Sequence, residues 1–312
     1  MEMRALLYYR SKLDAHDQAV YDSLVNQWMH FYKCVRIPVP HCDFSRIIDA
    51  IIDDYPLLFY INYYKTSYSV SPFGMTIQGD YIYSKDEAEI LLEKCRQWGK
   101  YIHSHMPSGI CTTEKALWLH DVILSNVRYG NENGISAHNL IGVVSDGVAV
   151  CEGISKAYKY LCDYADIPCT CIRGTLNGNP HSWNMVWINN EASFVDVTND
   201  IHPEPGEFGR SNFLRKSTEM AGYTWETSLI PECRLTNKSN AYATAHSRHE
   251  LVKTVLQMDS RESIGIYLDF GHPLTQAEVQ MLITICQFRC PSLFTKSMSF
   301  SPERQILYIA NR

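Results

Sequence analysis

Three residues of this sequence combine the chemical types that a nucleophilic active site needs. Cys151 stands where a loop becomes a predicted helix, and there unpaired backbone N–H groups and the helix dipole stabilise a thiolate. The same N–H groups can face the oxyanion that forms when the sulfur attacks an acyl carbon. His181 and Asp196 lie on two neighbouring predicted strands. A thiol, an imidazole base and a carboxylate that orients the base are the groups that cysteine-based acyl transfer uses.

The predicted strands place the histidine and the aspartate on one face of a hairpin. Asn189 and Asn190 form a turn signal between them. In that register Asp196 faces Trp183 directly and His181 diagonally, so the imidazole and the carboxylate point the same way. We therefore expect Asp196 to hold His181 in the required tautomer and to favour an imidazolium beside the thiolate.

Four further residues are candidates for the surroundings of this site. Trp183 either packs in the core or shields the His–Asp pair from water, and Asn184 is expected to hydrogen-bond the neighbouring strand or loop. Gly153 is expected to leave room for a substrate backbone. His138 precedes the nucleophile and either lines the cleft or belongs to a plain surface loop, which is the commoner case.

The blocks VCEGISKAYKYL, HSWNMVWI and FVDVTND together resemble the transglutaminase-like superfamily, and the similarity covers residues 112–200. The spacing of the blocks is similar to that of compact bacterial members, and Tyr55-Pro-Leu-Leu-Phe-Tyr is similar to a segment that precedes the domain in some of them. The resemblance implies a papain-like cysteine–histidine–aspartate site without a metal or a cofactor. Many relatives read T-W-D where this chain has Thr198-Asn199-Asp200, a difference expected to affect packing near the aspartate.

The elements that must position these residues predict an α+β fold. We expect a papain-like transglutaminase core, in which the nucleophile-bearing helix packs on an antiparallel sheet, with N- and C-terminal α/β regions on either side. The predicted regions are 1–110, 111–240 for the catalytic core, and 241–312 for a β-α-β-β unit. A chain of 312 residues with 46% hydrophobic and 20% charged residues is long enough for two domains, or for one large domain with appendages.

Hydrophobic periodicity and turn signals locate the individual elements. Helices are predicted over residues 16–33, 43–53, 85–105, 112–127, 152–165 and 274–288. Strands are predicted over 169–174, 182–188 and 192–198, and a hairpin is predicted around the Ser-Pro-Phe-Gly turn at 71–74. Residues 128–147 and 199–240 are predicted to be irregular.

These residues predict nucleophilic acyl transfer on a peptide or carboxamide substrate, with hydrolysis favoured over transamidation. Water as the second nucleophile gives a protease or amidase, and an amine gives a transglutaminase. A non-catalytic protein-binding module that uses the same cleft is the alternative from another class. The alternating strands of the C-terminal unit also suit sheet extension or a homodimer.

Composition argues against several other classes of partner. The net charge of −6 provides no basic field for nucleic acid or an anionic membrane. The N-terminus is too charged for a signal peptide and no stretch reaches the ~20 apolar residues of a membrane span, so we expect a cytoplasmic protein. Its 11 cysteines are then mostly reduced. Cys162, Cys169 and Cys171 lack the usual zinc spacing and are expected to be buried thiols.

Overall fold

The fold of this protein is given by a computed structural model. It describes residues 6–38, 42–106, 108, 110–132, 134–201, 210–235, 243–257, 264–302 and 305–311. The predicted boundary near residue 240 lies outside the described residues, and so do residues 202–209 of the segment predicted to be irregular. Of the helices in the described part, none combines the length and apolar character that a membrane crossing requires.

The N-terminal region contains three long helices and a small sheet. Its elements are α1 (Ala15–Met29), β1 (Cys34–Ile37), α2 (Phe44–Asp54), β2 (Ser67–Ser71), β3 (Gly74–Gln78) and α3 (Lys85–His105). The strands pair in the order β1-β3-β2, and all pairs are antiparallel. The predicted hairpin and the helix over 85–105 are therefore present, with β1 as an additional strand.

Local backbone conformation explains where the predicted helices begin and end. Helix α1 ends at Met29 instead of residue 33, and Phe31 beyond it has a left-handed φ of 60°. Helix α2 begins after Asp43, whose carboxylate accepts the Arg46 N–H, and buries Ile47 and Ile51 as the apolar spacing predicts.

The second region, which contains the candidate site, is one central helix packed on a sheet. Its elements are α4 (Thr112–Asn126), β4 (Arg128–Tyr129), β5 (Val148–Ala149), α5 (Cys151–Tyr164), β6 (Cys169–Leu176), β7 (Asn179–Ile188), β8 (Glu191–Val195), α6 (Val197–Ile201) and β9 (Tyr223–Trp225). The sheet order is β8-β7-β6-β9, and every pair in it is antiparallel. This arrangement confirms the predicted α+β fold with its nucleophile-bearing helix on an antiparallel sheet.

Three predicted segments of this region differ in the structure. The segment 128–147 is not all loop, because it contains β4, a 3₁₀ helix over Gly134–His138 and a π-helical turn over Gly142–Asp146. The last predicted strand ends at Val195, and residues 197–201 turn into α6. The segment 199–240 was expected to be irregular, yet it supplies strand β9 at the edge of the sheet.

The C-terminal region contains the predicted β-α-β-β unit with one strand and one helix added before it. Its elements are β10 (Ala243–Ala245), α7 (Arg248–Gln257), β11 (Ile264–Leu268), α8 (Gln276–Arg289), β12 (Lys296–Ser301) and β13 (Ile306–Asn311). The sheet order is β10-β11-β13-β12, with β10 parallel to β11. This region has its own cluster of buried side chains, which includes Leu251, Ile266 and Val279.

A second cluster of buried side chains joins the N-terminal region to the core. Trp28 and Ile51 from the first region belong to the same cluster as Leu119 and Leu161 from the second. The Tyr9 hydroxyl also donates to the Cys171 carbonyl oxygen at 2.8 Å. The division into three regions at residues 110 and 240 stays a prediction.

Helix α5 is buried along most of its length, including its charged residues. Lys159 is fully buried, and its Nζ donates to Asp163 Oδ2 at 2.9 Å, one helical turn later. A buried charge is tolerated only when it is paired, because desolvation of a lone ion is costly. The Lys159–Asp163 pair therefore permits the helix to lie inside the molecule.

We expect Lys159→Met to destabilise the protein by about 3–5 kcal/mol, because Asp163 would be left as an unpaired buried charge. The double variant Lys159→Met/Asp163→Leu should recover most of that loss, since both charges are removed together. Urea unfolding of the two variants and the wild type measures the difference. A single variant as stable as the wild type would show that the pair does not hold this helix.

Candidate active site

Cys151 is the first residue of α5, as the sequence predicts. Gly147 adopts a left-handed conformation (φ 62°, ψ 20°) that closes the π-helical turn, and the chain then extends through β5 to Val150. The Val150 N–H donates to the Ala137 carbonyl oxygen at 3.0 Å, which holds this approach in place. Cys151 is a free, partly buried cysteine at a helix start whose first N–H groups have no partners within the helix.

The expected role of Gly153 is wrong, because its missing side chain makes room for the protein itself. Gly153 is buried in the first turn of α5. A Cβ atom there would collide with the carbonyl oxygens of Ala137 and Asn139. Gly153 therefore lets the preceding 3₁₀ helix pack against the nucleophile helix and does not open space for a substrate.

The hairpin of β7 and β8 brings His181 and Asp196 together. Asn189 and Asn190 both have positive φ angles (51° and 68°), as a two-residue hairpin turn requires. Asn184 pairs with Val195, and this register puts Asp196 opposite Trp183. His181 Nε2 lies 2.7 Å from Asp196 Oδ2, and the imidazole and the carboxylate are 9% and 1% exposed.

The electrostatic environment of His181 favours the imidazolium. Burial lowers the pKa of His181, but the neighbouring Asp196, and after it Cys151, outweigh this effect and raise the pKa to about 9. Since Nε2 is engaged by Asp196, the remaining ring nitrogen, Nδ1, is the one available to the sulfur. The structure thus brings the three predicted residues together: His181 bonds Asp196, and Cys151 is close enough to raise the pKa of His181.

Asp196 accepts hydrogen bonds from Asn199 and Tyr223 as well as from His181, and no motif in the sequence predicts the Tyr223 contact. Its Oδ1 accepts the Asn199 N–H at 3.1 Å, and its Oδ2 accepts the Tyr223 hydroxyl at 2.7 Å. The Asn199 side-chain amide donates in turn to the Tyr223 hydroxyl. Asn199 stands where many relatives have the tryptophan of T-W-D. In this chain that position supplies the hydrogen bond to the Tyr223 hydroxyl. The aromatic pair Tyr223 and Trp225 was the one signal for a strand within residues 199–240.

Trp183 and Asn184 have distinct supporting contacts. Trp183 is buried and stacks on His181, with ring centroids 5.8 Å apart and planes 20° apart. Asn184 Nδ2 donates to the Ser155 carbonyl oxygen of α5 at 2.9 Å and to the Thr170 carbonyl oxygen of β6 at 3.4 Å. Asn184 therefore ties the nucleophile helix to the sheet that carries His181.

His138 is half-exposed and lines a cavity to which neither Cys151 nor His181 contributes. Its Nδ1 is 3.2 Å from Glu152 Oε2, and Lys156 Nζ donates to Glu152 Oε1 and to the His138 carbonyl oxygen. These three residues line a cavity of about 210 Å³, and a cavity of about 680 Å³ lies along α2. Neither of these two cavities is lined by Cys151 or His181.

The described residues offer little that would bind a metal near this site. Cys162, Cys169 and Cys171 are buried free thiols, as expected. In the described part of the chain, the one group of three close ligand atoms belongs to Asp14, His16 and Asp17 at the start of α1. Asp14 already serves as the cap of that helix and accepts the Asp17 N–H at 2.8 Å.

A second buried histidine–aspartate pair anchors the segment after Asp196. His120 on α4 is fully buried, with Nε2 3.0 Å from Asp200 Oδ2 and Nδ1 3.0 Å from Asp121 Oδ1. Asp200 also accepts from the backbone N–H and side chain of Asn212. Burial lowers the pKa of His120, but hydrogen bonds with Asp121 and Asp200 outweigh it and raise the pKa to about 9.

Residues 97–198 match the family model of the transglutaminase-like superfamily. This part of the chain is transglutaminase-like in sequence. The match begins within α3 and ends just after Asp196, so it contains Cys151, His181 and Asp196. No curated protein sequence matches the chain.

Several solved structures are similar to part of this chain at low sequence identity. A proposed cysteine protease from Cytophaga hutchinsonii is 14% identical, with 43% of this chain and 61% of that chain covered and a TM-score of 0.31. A structure described as a TGase is 11% identical, with coverage of 58% and 51% and a TM-score of 0.33. Menin is 13% identical, with coverage of 68% and 42% and a TM-score of 0.31. This chain thus spans less than two thirds of each, and such TM-scores do not establish a shared overall architecture.

We expect His120 to make the stability of this transglutaminase-like core depend on pH. Its pKa is raised on folding from about 6.5, so its contribution is fully present below that pH and is lost as the pH rises through about 9. His120→Gln should therefore flatten the fall in unfolding free energy between pH 6.5 and 9.5. Urea unfolding at several pH values measures the slope.

The exposed His138 provides the control for this experiment. His138→Gln should leave the slope as in the wild type, because its side chain is 47% exposed. His181 keeps part of the slope in both variants, since the pKa of that residue is raised as well. Equal slopes for His120→Gln and the wild type would contradict the assigned role of the buried pair.

Proposed function

We propose that this protein is a cysteine-nucleophile enzyme that transfers an acyl group from a peptide or carboxamide, with water as the usual acceptor. Cys151 is the nucleophile, His181 the general base and acid, and Asp196 the orienting group. The observation that carries the proposal is the imidazole of His181, which bonds Asp196 at 2.7 Å and lies close enough to Cys151, the first residue of α5, for that thiol to raise its pKa. A cysteine at a helix start beside a histidine–aspartate pair is the arrangement that nucleophilic catalysis uses, whereas a structural histidine requires only its hydrogen-bond partner.

The first half of the reaction forms a thioester. The Cys151 thiolate attacks the carbonyl carbon, and the carbonyl electrons move to oxygen, where the N–H groups at the start of α5 stabilise the charge. The tetrahedral intermediate collapses, the C–N bond breaks, and the His181 imidazolium donates its proton to the leaving amine. Asp196 keeps the imidazole aligned throughout, since its carboxylate is fixed on both oxygens.

The second half releases the acyl group. His181, now neutral, takes a proton from water as the oxygen attacks the thioester carbon. The new tetrahedral intermediate expels the Cys151 thiolate and yields a carboxylic acid, and the imidazolium is restored. A primary amine in place of water yields an amide by the same steps, which is transamidation.

We expect Cys151 to be alkylated by iodoacetamide much faster at pH 6 than the exposed thiols Cys34 and Cys111. At that pH less than about 1% of an ordinary thiol is ionised. His181→Ala should remove the advantage, because the imidazolium that stabilises the thiolate is lost. Mass spectrometry of peptides after timed labelling measures all three rates in one sample. Equal rates for Cys151 and Cys34 in the wild type would exclude an activated nucleophile.

The acyl acceptor is tested separately with a peptide library that contains carboxamide side chains and a fluorescent primary amine. We expect wild-type protein to produce free carboxylates by hydrolysis of peptide or side-chain amide bonds, and Cys151→Ala to produce none. Predominant incorporation of the amine would identify a transamidase instead. Activated alkylation without either product would contradict acyl transfer on this substrate class.

A further inference from the structure

Tyr223 lies beside the proposed catalytic groups. It belongs to β9, an edge strand that follows the matched residues 97–198. Strand β9 pairs antiparallel with β6, so that Tyr223 lies opposite Leu176 and Trp225 lies opposite Gly174. The Tyr223 ring is 9% exposed and packs edge-on against Trp183, with centroids 5.2 Å apart, and against His181, with centroids 5.9 Å apart. Its position is therefore defined by packing on two sides.

The direction of the hydrogen bonds at the Tyr223 hydroxyl follows from the chemistry of its neighbours. The Asn199 side-chain NH₂ can only donate, so the hydroxyl oxygen accepts from it. The single O–H proton is then directed at Asp196 Oδ2, 2.7 Å away. Burial and then the Asp196 charge raise the pKa of Tyr223 well above its usual value, so the phenol stays protonated and remains a donor.

Asp196 Oδ2 therefore serves two donors at once. It accepts from His181 Nε2 and from the Tyr223 hydroxyl, each at 2.7 Å. A hydrogen bond to one side of a carboxylate oxygen withdraws charge and weakens its hold on a second donor. We propose that Tyr223 is a positioning residue that acts through Asp196: its hydroxyl competes with His181 for Oδ2 and limits how strongly the carboxylate holds the imidazolium proton.

An alternative role, that Tyr223 merely keeps Asp196 from rotating, is disfavoured by the other contacts of Asp196. Its Oδ1 is fixed by the Asn199 N–H, its backbone N–H donates to the Asn212 carbonyl oxygen at 3.0 Å, and its side chain is 1% exposed. The carboxylate would thus keep its orientation without the hydroxyl. The role left for the Tyr223 hydroxyl is its electrostatic effect on Asp196 Oδ2, the oxygen that it shares with His181.

The charged and titratable groups around the pair are few in the described part of the chain. Cys151 approaches His181 from α5, Asp196 approaches it from the end of β8, and Tyr223 approaches it from β9. The Arg215 guanidinium lowers the pKa of Tyr223, but burial and Asp196 outweigh it. The His181 proton is therefore shared among Cys151, Asp196 and, through Asp196, Tyr223. The effect of this proton sharing on catalysis rests on the proposed function of Cys151.

The test is the pKa of His181 in the full chain, measured by NMR titration of protein labelled with ¹³C-histidine. The His181 signal is assigned by its disappearance in His181→Gln. We expect Tyr223→Phe, which keeps the ring packing and removes only the hydroxyl, to raise this pKa by about 0.5–1 unit. Asn199→Ala, which removes the donor to the hydroxyl, should give a smaller rise. The pH range in which Cys151 is alkylated ahead of Cys34 should extend upwards in the same order.

Tyr8 supplies a matched control in the same cluster of buried side chains. Its hydroxyl donates to the Leu229 carbonyl oxygen at 2.6 Å and has no part in the contacts of Asp196. Tyr8→Phe should therefore leave the pKa of His181 unchanged, even if it destabilises the fold as much as Tyr223→Phe. An unchanged or lowered pKa in Tyr223→Phe, or an equal rise in Tyr8→Phe, would overturn the proposal.

The titration also separates this proposal from the proposed function. The pKa of His181 is read directly and needs neither a substrate nor a reactive Cys151. A raised pKa in Tyr223→Phe together with a slow Cys151 would uphold the link between Tyr223 and His181 and reject the nucleophile. A fast Cys151 with an unchanged His181 pKa would uphold the nucleophile and reject the role of Tyr223.

Discussion

The buried carboxylate of Asp196 requires hydrogen-bond donors, and several surrounding elements supply them. A carboxylate without water must receive hydrogen bonds on both oxygens, because an unpaired buried charge is costly. Its donors come from three different segments: His181 on β7, the Asn199 backbone at α6, and Tyr223 on β9. The hairpin turn, the helical turn after β8 and the edge strand each bring one donor to this carboxylate. The candidate site therefore extends beyond Cys151, His181 and Asp196.

Cys151, the proposed nucleophile, is positioned by a second constraint, the burial of α5. This helix packs against α3, α4 and the sheet, and its residues from Gly153 to Asp163 are buried. Gly153 allows the preceding 3₁₀ helix to approach, and Asn184 links the Ser155 carbonyl oxygen to the sheet. Lys159 and Asp163 neutralise each other inside. The start of the helix is thus held firmly, as a reactive group at a helix terminus requires.

Much of the fold could be predicted from local patterns, and the differences have physical causes. The apolar spacing of Ile47 and Ile51 and the Asn189-Asn190 turn are short-range signals, so α2 and the hairpin were correctly predicted. Strands β1, β4 and β9 have four, two and three residues, too few for a periodicity to show. Each exists because a partner strand supplies its hydrogen bonds, and that partner is distant in the sequence for β9.

Local sequence signals were enough to predict that Cys151, His181 and Asp196 would meet. A helix start, a two-residue turn and the alternation of strand side chains act over short distances and fix where these three side chains lie. The surroundings of the three residues depend on packing between elements. Gly153 faces the protein's own backbone, His138 faces another cavity, and Tyr223 reaches Asp196 from 27 residues away. Contacts of this kind depend on packing between elements, for which a single sequence carries no local periodicity.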